Sequence, residues 1–123
     1  MNEYKEWGKW VRHDPDRLSA KSSWGLVMRN NVPMGYDNYR MTDERGCQID
    51  AAVASLASFS KVCAHVFVMT YVYGWSRDKI AKEYMTELMY QDTGRKATRF
   101  DVKDRLLVAE GYVAGITNYL LKC

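Results

Sequence analysis

Residues 98–121 read TRFDVKDRLLVAEGYVAGITNYLL and carry the clearest helical pattern in the chain. Their apolar positions alternate at spacings of four and three, which places them on one side of an α-helix over several turns. These positions are Val102, Leu106, Ala109, Val113, Ile116 and Leu120. Thr98, with Asp101 three positions later, resembles a capping box and marks the expected start of this helix. Gly111 and Gly115 lie beside the apolar positions, and we expect them to allow close helix packing.

The N-terminal third begins with an amphipathic pattern over residues 3–12, which predicts a short helix that ends before Pro15. Residues 17–40 show no sustained period and are rich in aromatic side chains, so we interpret them as an ordered loop or a mobile arm. We therefore divide the chain into an N-terminal helix and arm (1–40) and a helical domain (41–123), in one folded unit overall.

Three more helices are expected between the arm and the final helix. Thr42 is a suitable N-cap for the first, because its hydroxyl can accept a backbone N–H. Residues 61–73 are apolar nearly all round, which is typical of a central helix, with a strand as the competing interpretation. Gly74 is a suitable residue just beyond its end, and Ser76 then caps a helix that runs to about residue 90. The expected fold class is all-α.

The composition is that of a single globular domain, with 123 residues of which 47% are hydrophobic. Net charge is only +3, but residues 95–105 carry five basic and two acidic side chains. The odd cysteine count (Cys47, Cys63 and Cys123) indicates reduced thiols in a cytoplasmic protein. The first ten residues are not typical of a signal peptide, and no apolar stretch is long enough for a membrane span.

The region from Tyr71 to Val113 predicts a C-terminal helix-turn-helix that ends in the long final helix. In this motif the second helix enters the major groove with its N-terminus first, and the first helix braces it. The candidate DNA-binding residues are Ser76, Arg77, Arg95, Lys96, Thr98, Arg99 and Lys103. The connecting loop is longer than the tight turn of the standard motif. The alternative is a basic turn on a solvated helix, which is common.

Catalysis is poorly supported by the residues present. Cys63 and His65 are two positions apart on a helix, so they point to roughly opposite sides, and His13 lies far away in sequence. No phosphate-binding glycine loop or nucleophile elbow occurs. Cys47, Cys63 and His65 could converge on a metal, but we expect Cys47 and Cys63 in the core, His65 hydrogen-bonded, and no enzyme activity, metal or cofactor.

Three tryptophans in the N-terminal third allow two interpretations. Trp7, Trp10 and Trp24 either pack into the core or form an exposed surface that stacks on nucleic-acid bases or binds a partner protein. Core packing is the more ordinary of the two, but an exposed aromatic surface on so small a chain is a recognised mark of an interface.

Several ordered segments of the chain match one known family. They are Trp7-Gly8-x-Trp10; Met41-Thr42-Asp43-x-x-Gly46-x-x-Ile49-Asp50-x-Ala52-Val53-Ala54-x-Leu56; Tyr71-x-Tyr73-Gly74-x-Ser76-x-x-x-Ile80-Ala81; and Val102, Leu106, Ala109-Glu110-Gly111 and Gly115. Together they resemble the short antitermination protein Q family of lambdoid phages. The third segment also resembles the fourth region of bacterial sigma factors, which is a helix-turn-helix. The stretch between Ala81 and Val102 is longer here than in typical members.

The resemblance implies a phage protein that binds double-stranded DNA near the late promoter, in the cytoplasm of the host. It would load onto paused host RNA polymerase and carry it through terminators. The resemblance also assigns DNA contacts to the basic residues of 95–103 and suggests polymerase contacts or self-association for the aromatic N-terminal portion. The alternatives are another phage helix-turn-helix protein, such as a terminase small subunit, or a protein-only inhibitor of a host factor.

Overall fold

A computed structural model describes residues 2–18, 32–33, 35, 38–86 and 94–120. Within these residues the chain is all-α and has no strand, as the sequence predicts. Five α-helices follow one another in the described ranges: α1 (Glu3–His13), α2 (Asp43–Phe59), α3 (Lys61–Tyr71), α4 (Arg77–Ile80) and α5 (Arg99–Gly115). A 3-10 turn covers Pro15–Arg17, and π-helical turns extend α4 over Ala81–Met85 and α5 over Ile116–Leu120. Residues 61–71 therefore form a helix and not a strand, and the chain turns at Val72 and Tyr73.

The helices begin at side chains that satisfy their first backbone N–H groups, which is why the sequence predicts several of these starts well. The Thr42 hydroxyl accepts a hydrogen bond from the N–H of Arg45 (3.1 Å) at the start of α2. Ser60 does the same for the N–H of Cys63 (3.3 Å), which separates α2 from α3. The bounds of α2 and α3 thus follow from short polar residues at their N-termini.

The core surrounds α3, which packs against α1, α2 and α5. Phe67 of α3 lies within an aromatic cluster, with ring centroids 5.2 Å from Tyr4, 5.6 Å from Trp7 and 5.0 Å from Tyr71. The predicted apolar side of α5 supplies Val102, Leu106, Ala109 and Val113, all buried. Ile116 packs at the edge of the core, and the side chain of Leu120 lies outside the described residues.

The N-terminal helix belongs to the same core as the rest of the described chain. The indole N–H of Trp7 donates to the carbonyl oxygen of Gly46 (3.2 Å), and that of Trp10 donates to Asp43 (2.9 Å). Both rings are buried, so the indole groups find their hydrogen-bond partners at the first turns of α2. Most of the predicted arm, including residues 19–31, lies outside the described residues.

Two glycines that the sequence analysis did not single out for packing allow helices to approach closely. A Cβ atom on Gly8 would lie 1.7 Å from the carbonyl oxygen of Tyr71, and one on Gly46 would lie 2.6 Å from the Trp10 ring. At Gly111 and Gly115 a Cβ would meet no atom within 4 Å. The expectation of close packing at Gly111 and Gly115 is therefore wrong within the described chain, because that side of α5 faces away from the core.

Alanine at Gly8 and alanine at Gly111 should have opposite effects on stability. Gly8→Ala forces a shift of the α3 backbone, and we expect it to lower the free energy of unfolding by about 1–3 kcal/mol. Gly111→Ala fills open space on a helix, where alanine is favoured over glycine by roughly 0.5–1 kcal/mol. Urea unfolding followed by circular dichroism measures both. Equal midpoints for the wild type and Gly8→Ala would contradict the close approach.

Candidate nucleic-acid interface

The turn between α3 and α4 is stabilised by hydrogen bonds from α1 and by the cap of α4. Gly74 has a φ of +74°, the left-handed conformation that glycine adopts without strain, and it allows the chain to reverse after α3. The Arg12 guanidinium of α1 donates to the carbonyl oxygens of Tyr71 (3.0 Å) and Val72 (2.9 Å), which the end of α3 leaves without helical partners. The Ser76 hydroxyl then caps α4 as predicted. These contacts fix where α4 leaves the core.

The start of α5 is held by a set of hydrogen bonds around Asp101. Its carboxylate accepts from the backbone N–H of Thr98 (2.7 Å), from the Thr98 hydroxyl (3.1 Å) and from the Arg95 guanidinium (3.1 Å). The backbone hydrogen bond is the main reason that the pKa of Asp101 is lowered, and Arg95 adds to the effect. The predicted capping box is present, and it ties Arg95 to the first turn of α5.

An open groove separates α4 from the first turn of α5 and is called here the α4–α5 groove. Its lining consists of Asp78, Ala81, Lys82, Ala97, Thr98, Arg99 and Phe100. The Phe100 side chain is 62% exposed, and the Arg99 guanidinium lies 5.3 Å from the centroid of its ring. At the start of α4, the Lys79 ammonium lies 4.5 Å from the centroid of the Trp75 ring. Cationic and aromatic groups are thus paired both in the groove and at the start of α4.

Positive charge is concentrated around this groove. Residues 76–86 and 94–105 carry eight basic and four acidic side chains, a surplus that exceeds the net charge of +3 of the whole chain. The acidic ones are Asp78, Glu83, Asp101 and Asp104, and Asp101 already pairs with Arg95. A polyanion approaching the protein is therefore attracted to this side of the described structure.

The sequence-predicted DNA-binding residues are all exposed, and the structure brings several of them together. Thr98 and Arg99 line the α4–α5 groove, and Lys103 follows one turn later on α5. Arg95 and Lys96 precede the helix, while Ser76 and Arg77 stand at the start of α4. Ser76 and Thr98 also serve as caps. Residues 87–93 of the long connection, and the predicted extent of its helix to residue 90, lie outside the described residues.

Lys82 and Phe100 belong to the groove but were not selected from the sequence. Lys82 lies in the π-helical turn that extends α4, and such a turn rotates the residues after Ile80 relative to an ordinary α-helix. The exposure of Phe100 could have been predicted from the sequence, because this large apolar residue does not fall on the predicted apolar side of α5. Its exposure beside two basic residues follows from that position.

Trp7 and Trp10 do not form a partner-binding surface. Their side chains are 0% and 1% exposed and pack against α2 and α3, so the expectation of a surface role is wrong for both, and core packing is the correct alternative. Their spacing on α1 directs both rings to the same side of the helix, and that side is covered. Trp24 lies outside the described residues.

Cys63 and His65 of α3 both interact with Tyr84, Cys63 electrostatically and His65 through a hydrogen bond, although their spacing on the helix predicts opposite sides. Cys63 is buried, and His65 shares a 2.5 Å hydrogen bond between its Nδ1 and the Tyr84 hydroxyl. Burial lowers the pKa of His65, and nearby Lys61 lowers it further. Cys47 is exposed, so it is not the core thiol that we expected. Among the described residues no three metal-ligating side chains cluster together.

Comparisons with models of known protein families, with curated proteins and with solved structures gave no match to this chain. None of the helices in the described ranges combines the length and the apolar character that crossing a bilayer requires.

Removing the Asp101 carboxylate should destabilise the start of α5 in a pH-dependent way. We expect Asp101→Ala to cost about 0.5–2 kcal/mol at neutral pH, the usual range for a lost helix cap. Because the folded pKa of Asp101 lies below its ordinary value of 3.8, the contribution is complete above that value and is lost as the pH falls through the folded pKa. Urea unfolding of the wild type and the variant at several pH values measures it.

Asp104→Ala is the matched control, because Asp104 is an exposed carboxylate on the same helix. A difference between the wild type and Asp101→Ala that persists unchanged at acidic pH would contradict the role given to the carboxylate.

Proposed function

We propose that this protein binds double-stranded DNA through the α4–α5 groove and acts as a late-gene transcription antitermination factor of a phage. The observation that supports DNA binding best is the first turn of α5. It is exposed and basic, its start is capped by the Asp101 hydrogen bonds, and α4 lies beside it. A helix presented in this way fits the major groove, with its N-terminus directed at the base edges.

The residues around the groove take different roles in this proposal. Arg99 and Lys103 lie one turn apart on α5 and reach base edges or the phosphates beside them. Arg95 pairs with Asp101, so its role is to hold the helix start while its charge attracts phosphate. Lys96 and Arg77 are exposed at the rim and contact phosphates, to which Ser76 at the start of α4 also donates.

The antitermination activity is supported by the resemblance of the ordered sequence segments to the phage Q family. In this proposal the protein binds near a late promoter, joins host RNA polymerase there and travels with it. Because Trp7 and Trp10 are buried, a polymerase contact must use other residues. Exposed Leu107 and Val108, on α5 beyond its basic turn, are apolar groups suited to a protein contact.

A second candidate function, a protein-only interaction module, is favoured by the same exposed apolar residues of α5. Leu107 and Val108 are 57% and 49% exposed, and Gly111 beside them is open. Such a module would use the outer side of α5 to bind a host protein and would bind DNA only through non-specific charge attraction. The two candidates differ in whether any DNA sequence is preferred at physiological salt.

Selection of bound duplexes from a random DNA pool at near-physiological salt should enrich a sequence motif. Arg99→Ala should weaken binding to this motif by about 1–3 kcal/mol and relax the preference at one position, if Arg99 contacts a base. Lys103→Ala should reduce the salt dependence by about one phosphate contact, if Lys103 contacts the backbone. Fluorescence anisotropy with a labelled duplex measures both, and Lys5→Ala on α1 is a control for charge alone.

The enriched motif is then placed downstream of a promoter, and readthrough of a terminator is measured with and without the protein. Absence of any motif, with retention that disappears as salt rises, would refute the DNA-binding proposal and favour the protein-only module. A motif without any effect on readthrough would refute antitermination and leave a DNA-binding protein of another kind.

A further inference from the structure

We propose that Phe100 recognises the C5-methyl group of a thymine in the major groove and is a specificity-determining residue of the α4–α5 groove. This inference rests on the proposed DNA-binding function and goes beyond it by assigning one base contact to an apolar side chain.

The surroundings of Phe100 make its exposure unusual. It is the second residue of α5, and 62% of its surface is accessible although the ring is large and apolar. It lines the α4–α5 groove together with Arg99 and Lys82, and the Arg99 guanidinium lies 5.3 Å from the ring centroid. Two cations beside an uncovered ring match a partner that offers both phosphate and an apolar group.

The position of Phe100 on α5 indicates which apolar group of the DNA it contacts. The buried residues of α5 define one side of the helix, and Phe100 projects from the other side, one turn before Asp104. A carboxylate is repelled by phosphate but accepts a hydrogen bond from the cytosine amino group. The presence of Asp104 makes this face of the helix a better match for base edges than for phosphates. The apolar group that a base edge presents in the major groove is the thymine methyl.

Leu107 provides an internal comparison on the same face. It is also apolar and is 57% exposed, but it lies two turns further along α5, about 10 Å from Phe100 along the helix axis. In a helix that enters the groove with its N-terminus first, Phe100 reaches the base edges and Leu107 stays outside.

A thermodynamic cycle tests the contact with the duplex selected by the wild-type protein. Each thymine of that duplex is replaced in turn by uracil, which differs from it by the methyl group alone. At one position the replacement should weaken binding by the wild type about fourfold, the loss expected for one buried methyl group. Phe100→Ala should bind the thymine duplex more weakly, and the same replacement should leave its affinity unchanged. Leu107→Ala should keep the fourfold effect.

The possible results separate the inference from the function on which it rests. If no motif is enriched, the DNA-binding function fails and the contact fails with it. If a motif is enriched but contains no thymine whose replacement affects binding, or if every replacement has the same effect on Phe100→Ala as on the wild type, the contact alone is refuted. Circular dichroism of Phe100→Ala confirms that the variant is folded, as expected for an exposed side chain. If Phe100 instead binds a protein, every uracil replacement should have the same effect on Phe100→Ala as on the wild type.

Discussion

The described structure depends on the close approach of α1 to the end of α3. Gly8 makes the approach possible, because any side chain there would overlap the carbonyl oxygen of Tyr71. One turn later Arg12 donates to the last carbonyl groups of α3, so a single helix both covers the core and fixes where α3 ends. The turn at Gly74 and the direction of α4 follow from that ending. The geometry of the α4–α5 groove is thus set by a contact on another side of the core.

Helix positions could be predicted from the sequence wherever the signal is local. Thr42, Ser76 and the pair Thr98 and Asp101 satisfy backbone groups within a few residues, so the starts of their helices can be recognised without tertiary information. The final helix was predicted from its apolar spacing for the same reason. The π-helical turn at Ala81–Met85 has no such local signal and was missed.

Features that depend on the packing of distant segments could not be predicted in the same way. Gly111 and Gly115 have the spacing of a helix contact but face open space, while Gly8 and Gly46 touch residues far away in sequence. Trp7 lies in the core because α2 and α3 cover it, which its own neighbours do not reveal. Within the candidate site, the basic residues were identified correctly as exposed, but the pairing of Arg95 with Asp101 changes what one of them contributes.

The burial of α1 has a consequence for how the chain folds during its synthesis. Translation produces α1 before α2 and α3, so the partners of Trp7 and Trp10 emerge from the ribosome later. Until Phe67 has been synthesised, the nascent chain carries two large aromatic rings without their final cover. Exposed apolar groups of this kind favour aggregation and attract chaperones. Helix α1 therefore reaches its final environment only after α2 and α3 have been made.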